Sequence, residues 1–403
     1  MKPLKTITEL DLKGRRVFVR VDFNVPIKAV NGGYQVADAT RIEGALPTIQ
    51  YIIEQGGKCI LASHLGRPDG KPNPKYSLEP VAQKLSELLK KDVVLTEDCY
   101  GDGPRGLSHQ MRPQDVMLLE NLRFHPGEEE NSTEFANRLL ELCDVYVSDA
   151  FGTLHRAHAS TSALPKLVTE KGIGFLVEKE LHYLEPLRDN PARPFVLVMG
   201  GAKVSDKIGI LEHFLDKVDT VLVGGAMAYA FLKAQGKTVG RSLCEDKQVQ
   251  VAAKLLKSAE ARKVKILLPI DHLVTKSLEE TTSVQLTEGP DISSSMMGVD
   301  LGPRTLLAFG SQMANAETIF WNGPMGVFET PAYANGTFEM ARIISQSKAV
   351  KLAGGGDSAA AIARAGCESQ FDFISTGGGA TLEYLEGKEL PGLKALEVYA
   401  RSS

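Results

Sequence analysis

The 403-residue chain contains only five cysteines (Cys59, Cys99, Cys143, Cys244 and Cys367), none of them in a CxxC pair. That scatter argues against a zinc-finger-type site and against a disulfide framework, and it suits a reducing compartment. Charge of one sign is also missing: 46 Lys and Arg against 50 Asp and Glu leave a formal net charge of -4. A nucleic-acid binder usually needs a basic surface, so that partner is not expected. No apolar run reaches membrane-spanning length, and the opening MKPLKTITELDLKG lacks the apolar centre of a signal peptide. The expectation is a cytoplasmic protein with no membrane partner. Tandem short repeats and low-complexity tracts are absent.

Several phosphate-handling motifs are missing as well. No GxxxxGK[ST] occurs, so there is no P-loop. No HRD and DFG set occurs, so this is not a protein-kinase fold. A Rossmann dehydrogenase should carry GxGxxG after its first strand, and Val21 to Pro26 lacks those glycines.

What is present is a rhythm of short apolar runs and longer helical patterns. RVFVRVDF, KCILASHL, DVVLTED, DVMLLEN and DVYVSDAF occupy the first half. PFVLVMGG, TVLVGGAM, KILLPIDHL, TIFWNGPM, AVKLAGGG and FDFISTGGG occupy the second. Runs without polar alternation read as strands buried on both faces, and βαβα order implies parallel sheets covered by helices. The length favours two domains. The fold class expected is α/β, with two doubly wound, Rossmann-like domains. The boundary falls near GIGFLVEKELHYLEPLRDNPARP, where Phe175 to Leu184 reads as a helix with Val177, Leu181 and Leu184 on one face.

Chemistry gathers at the strand ends. VKLAGGGDSAAAIA and FISTGGGATLEYL each read as a strand that stops in glycines and opens a helix. Glycine admits a close ligand, and a helix N-terminus offers unpaired N–H groups to an anion. Asp357 in the first of these turns is placed to hold a Mg²⁺ on phosphates. Lys203 and Lys207 follow Gly200-Gly201 at i and i+4, on one face if a helix follows. Asn322-Gly323-Pro324 and Glu329 suggest a turn beside the ligand, with Glu329 able to accept from ribose hydroxyls. In the first half, Arg41, His64, Arg67, Arg123, Arg156 and His158 would converge on a small, multiply charged anion. Each has a plainer alternative, a solvated surface role for an Arg and a packed one for a His, with Asp22 neutralising Arg20 and Asp149 neutralising Arg156; Gly224-Gly225-Ala226, which closes another strand, is expected to serve close helix packing.

Together these motifs resemble phosphoglycerate kinase along the whole chain. VDFN, the TRI helix start, SHLGRP, LLENLRFH, SDAFGTLHRAHAS, GGAKVSDKI, FWNGPMGVFE, GGGDS and STGGGA stand in that family's order. The resemblance implies reversible phosphoryl transfer between ATP and the carboxylate of 3-phosphoglycerate. It assigns phosphoglycerate binding to Asp22, Asn24, Arg41, His64, Arg67, Arg123 and Arg156. It gives Arg41, Lys203, Gly378 and Gly379 the transferring phosphoryl group. Nucleotide binding falls to Lys207, Gly298, Asn322, Glu329, Gly355, Gly356, Asp357 and Ser358, with Mg²⁺ on Asp357. The implied layout is a phosphoglycerate-binding domain over 1–172, a hinge helix over 173–190, a nucleotide-binding domain over 191–390 and a tail over 391–403 that returns to the first domain. A monomer that closes about the hinge is expected. Leu154, where the family commonly has a smaller residue, and the loop from Gln285 to Met297 are the visible departures.

Overall fold

The structure is a computed structural model that describes residues 4–397. In the first half the apolar runs form β1 (Arg16–Val21), β4 (Lys58–Ala62), β5 (Val93–Leu95), β6 (Val116–Leu118), β7 (Val145–Asp149) and β8 (Lys171–Ile173). They make one parallel sheet in the order β5-β6-β4-β1-β7-β8. Val17, Val19, Leu61, Val145 and Val147 at its centre are fully buried. β2 (Ile27–Val30) and β3 (Gly33–Val36) form a separate antiparallel hairpin.

The second half repeats the plan with β9 (Phe195–Met199), β10 (Thr220–Val223), β11 (Lys265–Leu267), β15 (Thr318–Asn322), β16 (Val350–Gly354) and β17 (Phe373–Ser375). Their parallel order is β11-β10-β9-β15-β16-β17. A small antiparallel sheet in the order β13-β12-β14 joins β12 (His272–Thr275), β13 (Gln285–Leu286) and β14 (Met297–Leu301). KILLPIDHL, one run in the sequence, is therefore split between two sheets. Pro269 lies at the break, where a residue without an N–H cannot continue a ladder. Asp271 then turns to a helix start and accepts from the N–H groups of Arg304 (3.0 Å) and Thr305 (2.8 Å).

The chain divides into two units: one runs to His182 and resumes at Glu389, the other is Tyr183–Lys388. The helix Phe175–Asp189 spans the division. Its start is held by Asp149, whose Oδ1 accepts from Leu176 N–H at 2.9 Å. Asp149 is thus occupied by a helix terminus and does not neutralise Arg156. In the returning segment, Gly392 N–H donates to Leu154 O at 2.9 Å. A Cβ at Gly392 would lie 2.6 Å from Leu154 Cδ2, so the bulk of Leu154 is matched by a glycine. Residues 398–403 of the expected tail lie outside the described residues.

Asp300 on β14 is 2 % exposed; its Oδ2 accepts from Gly336 N–H at 2.6 Å and its Oδ1 has no hydrogen-bond partner among the described residues. Burial pushes its carboxyl up to about 7. A carboxyl raised on folding adds stability below its unfolded value of about 3.9, and that stability is lost as pH rises through the folded value. Asp300→Asn should therefore raise Tm more at pH 8 than at pH 5. A Tm difference that stays constant over that range would show that the buried carboxyl does not titrate this way.

Candidate functional site

In the first unit, the ends of β1, β4, β6 and β7 lead into the residues singled out in the sequence. Arg41 lies in the first turn of the helix Thr40–Glu54. Its Nη1 donates to Asp22 Oδ2 at 3.0 Å and to Asn24 O at 3.2 Å. Asp22 is thus spent on Arg41, not on Arg20. Asn24 Oδ1 accepts from Gly66 N–H at 2.9 Å, and Gly66 O accepts from Arg123 Nη1 at 2.8 Å. Gly66 has φ +61°, and a Cβ there would meet the Tyr76 ring at 2.4 Å, so this junction is closed to other residues. Arg67 is exposed and makes no ion pair among the described residues.

The arginines of this basin act on the groups around them. His64 is held well below its ordinary value, first by burial and then by Arg20, Arg123, Arg156 and His158. His158 falls to about 4 through burial and through Arg123, Arg20 and Arg156. Arg123, 4 % exposed, is lowered by burial, with Arg156 and Arg20 adding repulsion and Glu129 opposing it. Its Nε lies 3.2 Å from Glu129 Oε1. That distance makes an ion pair, yet Nε completes no hydrogen bond. Cations this crowded create a local potential that a multiply charged anion relieves.

The second unit gathers glycines at the ends of β9, β15, β16 and β17. Gly200 N–H donates to Asn322 O and Gly201 N–H to Pro324 O, each at 2.9 Å. Gly355 caps the helix Gly356–Arg364 at φ +94°, and Gly378 caps the helix Gly379–Leu385 at φ +56°. These are left-handed positions that suit glycine. Ser358 Oγ accepts from Gly323 N–H at 2.7 Å and ties the two turns together. Asp357, one residue earlier, is exposed and has no hydrogen bond or ion pair to any described residue.

Lys203 and Lys207 do not share an α-helical face. Lys203 caps a 3₁₀ turn, Val204–Lys207, whose tighter winding rotates i and i+4 apart. Lys203 is exposed, whereas Lys207 is half-buried and donates to Asn322 Oδ1. Burial lowers the Lys207 ammonium, and Asp206, Asp357 and Glu386 oppose that shift. Asn322 is 1 % exposed, and its Nδ2 donates to Gly354 O at 2.6 Å. Its amide therefore braces Lys207 and the glycine turn from behind.

Next to this turn lies a cavity of about 330 Å³, lined among others by Gly225, Tyr229, Leu278, Gly298, Glu329 and Asp357. A Cβ on Gly298 would come within 2.0 Å of the Tyr229 hydroxyl, so a side chain there would force Tyr229 to move. Gly224 does pack, against Met325, but Gly225 lines the cavity. The apolar walls Leu243 and Leu278 carry no recognisable spacing in the sequence, because they come from irregular segments. Elsewhere Asp98, Cys99 and His125 bring ligand-type atoms within 4.8 Å of one another. Asp98 and His125 already pair at 2.6 Å, and the buried Cys99 thiol, raised mainly by desolvation, donates to Glu120 O at 3.0 Å.

Residues 7–388 match the family model described as phosphoglycerate kinase. The phosphoglycerate kinase of Anaeromyxobacter dehalogenans is 53% identical over 396 residues, covering 98% of this chain and 99% of the relative. That of Bdellovibrio bacteriovorus is 49% identical over 401 residues, covering 100% and 99%. The solved phosphoglycerate kinase of Coxiella burnetii is 41% identical with a TM-score of 0.89, covering 98% of this chain and 99% of that one. The solved enzyme of Pyrococcus horikoshii is 33% identical with a TM-score of 0.80, covering 97% and 98%.

Proposed function

The chain belongs to the phosphoglycerate kinase family, and from that premise we propose how its own residues carry the reaction. The reaction is reversible transfer of the terminal phosphoryl group between ATP and the carboxylate of 3-phosphoglycerate, a glycolytic step. One observation supports the assignment of the acceptor site above others: burial, together with the charges of Arg20 and Arg156, lowers the protonation of His64, Arg123 and His158 in one basin, where Arg20 Nη2 lies 3.2 Å from His64 Nδ1. Arg67, Arg123 and Arg156 grip the phosphate of 3-phosphoglycerate, since guanidinium groups bind such oxygens bidentately. Asp22, Asn24, Arg41 and His64 hold its hydroxyl and carboxylate end.

Gly355, Gly356 and Ser358 cradle the nucleotide phosphates at a helix N-terminus. Lys207 adds a point charge, Glu329 meets the ribose, and Gly298 borders the nucleoside in the cavity. Asp357 fits a Mg²⁺, because an exposed, unpartnered carboxylate beside phosphate-binding N–H groups is a suitable hard oxygen ligand. Bound there, Mg²⁺ would neutralise phosphate charge. Arg41, Lys203 and the N–H groups of Gly378 and Gly379 then stabilise the transferring group, as phosphoryl transfer demands chiefly positioning and charge stabilisation. No general base is needed, because the acceptor carboxylate is already ionised at pH 7.

A monomer working in the cytoplasm completes the reading; among the described residues, no helix is long and apolar enough to cross a membrane. A non-catalytic relative would be expected to lack Arg41, Lys203 or Asp357, and all are present. The decisive assay is acyl-phosphate formation from ATP and 3-phosphoglycerate, with and without Mg²⁺. Activity that requires both supports the reading, and no product from 3-phosphoglycerate overturns it. Substrates held by different units also imply closure about Phe175–Asp189. Small-angle scattering should report a smaller radius only when both substrates are present; an unchanged radius would count against closure.

A further inference from the structure

Two residues beneath the cationic basin, Glu128 and Ser160, have no part in the roles assigned so far, and a buried polar chain joins them to it. Glu128 is fully buried in the short helix Pro126–Glu129. Its Oε2 accepts from Ser160 N–H at 2.9 Å and its Oε1 from Ser160 Oγ–H at 2.6 Å. Ser160 Oγ accepts in turn from Arg20 Nε–H at 2.8 Å. Arg20 also donates to its neighbour Val21 O and, through Nη2, reaches His64 Nδ1 at 3.2 Å. Arg20, Ser160 and His64 are 1 %, 0 % and 4 % exposed. Four polar groups from distant parts of the chain thus form one line, from a buried carboxylate to an imidazole.

The donor count fixes the direction of this line. A guanidinium has only donors. His64 Nδ1 must therefore accept from Arg20, and a neutral ring then carries its proton on Nε2. Nε2 makes no hydrogen bond to any described residue and is not among the buried unpartnered atoms, so it remains accessible among the described residues. Ser160 has one hydroxyl proton; it goes to Glu128 and leaves a lone pair for Arg20. Glu128 is thereby the counter-charge of Arg20 at one hydroxyl's remove. The low protonation tendency of His64 agrees with a neutral ring.

We propose that Ser160 and Glu128 are positioning residues for the phosphoglycerate site: they orient Arg20, and Arg20 fixes His64 as a neutral Nε2–H donor. The proposal rests on the reading of this basin as the acceptor site. The opposite tautomer would present a lone pair to an anion, and repulsion would replace a hydrogen bond. A neutral, locked donor also keeps substrate binding independent of His64 titration near neutral pH.

The test begins with the unaltered protein, labelled with ¹⁵N in its histidine rings. Long-range ¹H–¹⁵N correlation should show His64 protonated on Nε2 and bare on Nδ1, unchanged from pH 6 to pH 8. Ser160→Ala and the isosteric Glu128→Gln should each mix the tautomers and raise KM for 3-phosphoglycerate about tenfold, with KM for ATP unchanged. An Nδ1–H ring or an imidazolium in the unaltered protein overturns the relay, even if no variant folds. So does a folded Ser160→Ala protein whose His64 signals and KM are unmoved. Adding 3-phosphoglycerate separates the two levels: ring signals that shift with the wrong tautomer sink the relay alone, whereas signals that do not shift at all overturn the acceptor-site reading with it.

Discussion

Arg41→Ala is expected to lower kcat by about 10²–10³ while KM for ATP stays nearly unchanged. Arg41 spends one nitrogen on Asp22 and the Asn24 carbonyl. The donors left over on its planar guanidinium are aimed by that anchor, so little reorganisation is needed when charge develops. Removing one preorganised donor to a transition state typically costs about 3 kcal/mol. Asp22 would lose its partner in the same variant, so KM for 3-phosphoglycerate should also rise. Steady-state kinetics at saturating substrates isolate the kcat effect. Near-normal turnover would remove Arg41 from the transfer step.

Asp357→Asn should weaken productive Mg·ATP binding by at least about tenfold and leave 3-phosphoglycerate affinity intact. The carboxylate is exposed at the start of the helix Gly356–Arg364 and has no partner to release among the described residues. Its amide analogue keeps the size and loses the charge. Stability should change little, because nothing buried is unpaired by the swap. A Mg²⁺ titration of activity, with 3-phosphoglycerate binding measured alongside, checks this. Equal loss for both substrates would contradict the division of labour between the units.

The two parallel sheets were legible because doubly covered strands are written as apolar runs, as in RVFVRV, FVLVM and TIFWN. The glycine turns were legible because left-handed caps such as Gly355 and Gly378 leave little choice of residue. The hairpin Ile27–Val36 was not, since it is mostly exposed and carries no buried pattern. Nor was the separation of Lys203 from Lys207, which depends on a 3₁₀ turn that side-chain spacing does not encode. Arg20 is the clearest gap. Inside a strand, beside Asp22, it reads as a locally neutralised charge. Its partner Ser160 lies 140 residues away, and only the packed fold brings Glu128 behind it.

Crystals grown with 3-phosphoglycerate and with Mg·ADP test the assignment of ligands most directly. The acid's phosphate is expected on Arg67, Arg123 and Arg156, its hydroxyl and carboxylate end within reach of His64 Nε2, and the nucleotide phosphates on Gly355 to Ser358. A phosphoglycerate found away from those arginines, or a nucleotide seated in the arginine basin of the first unit, would contradict it.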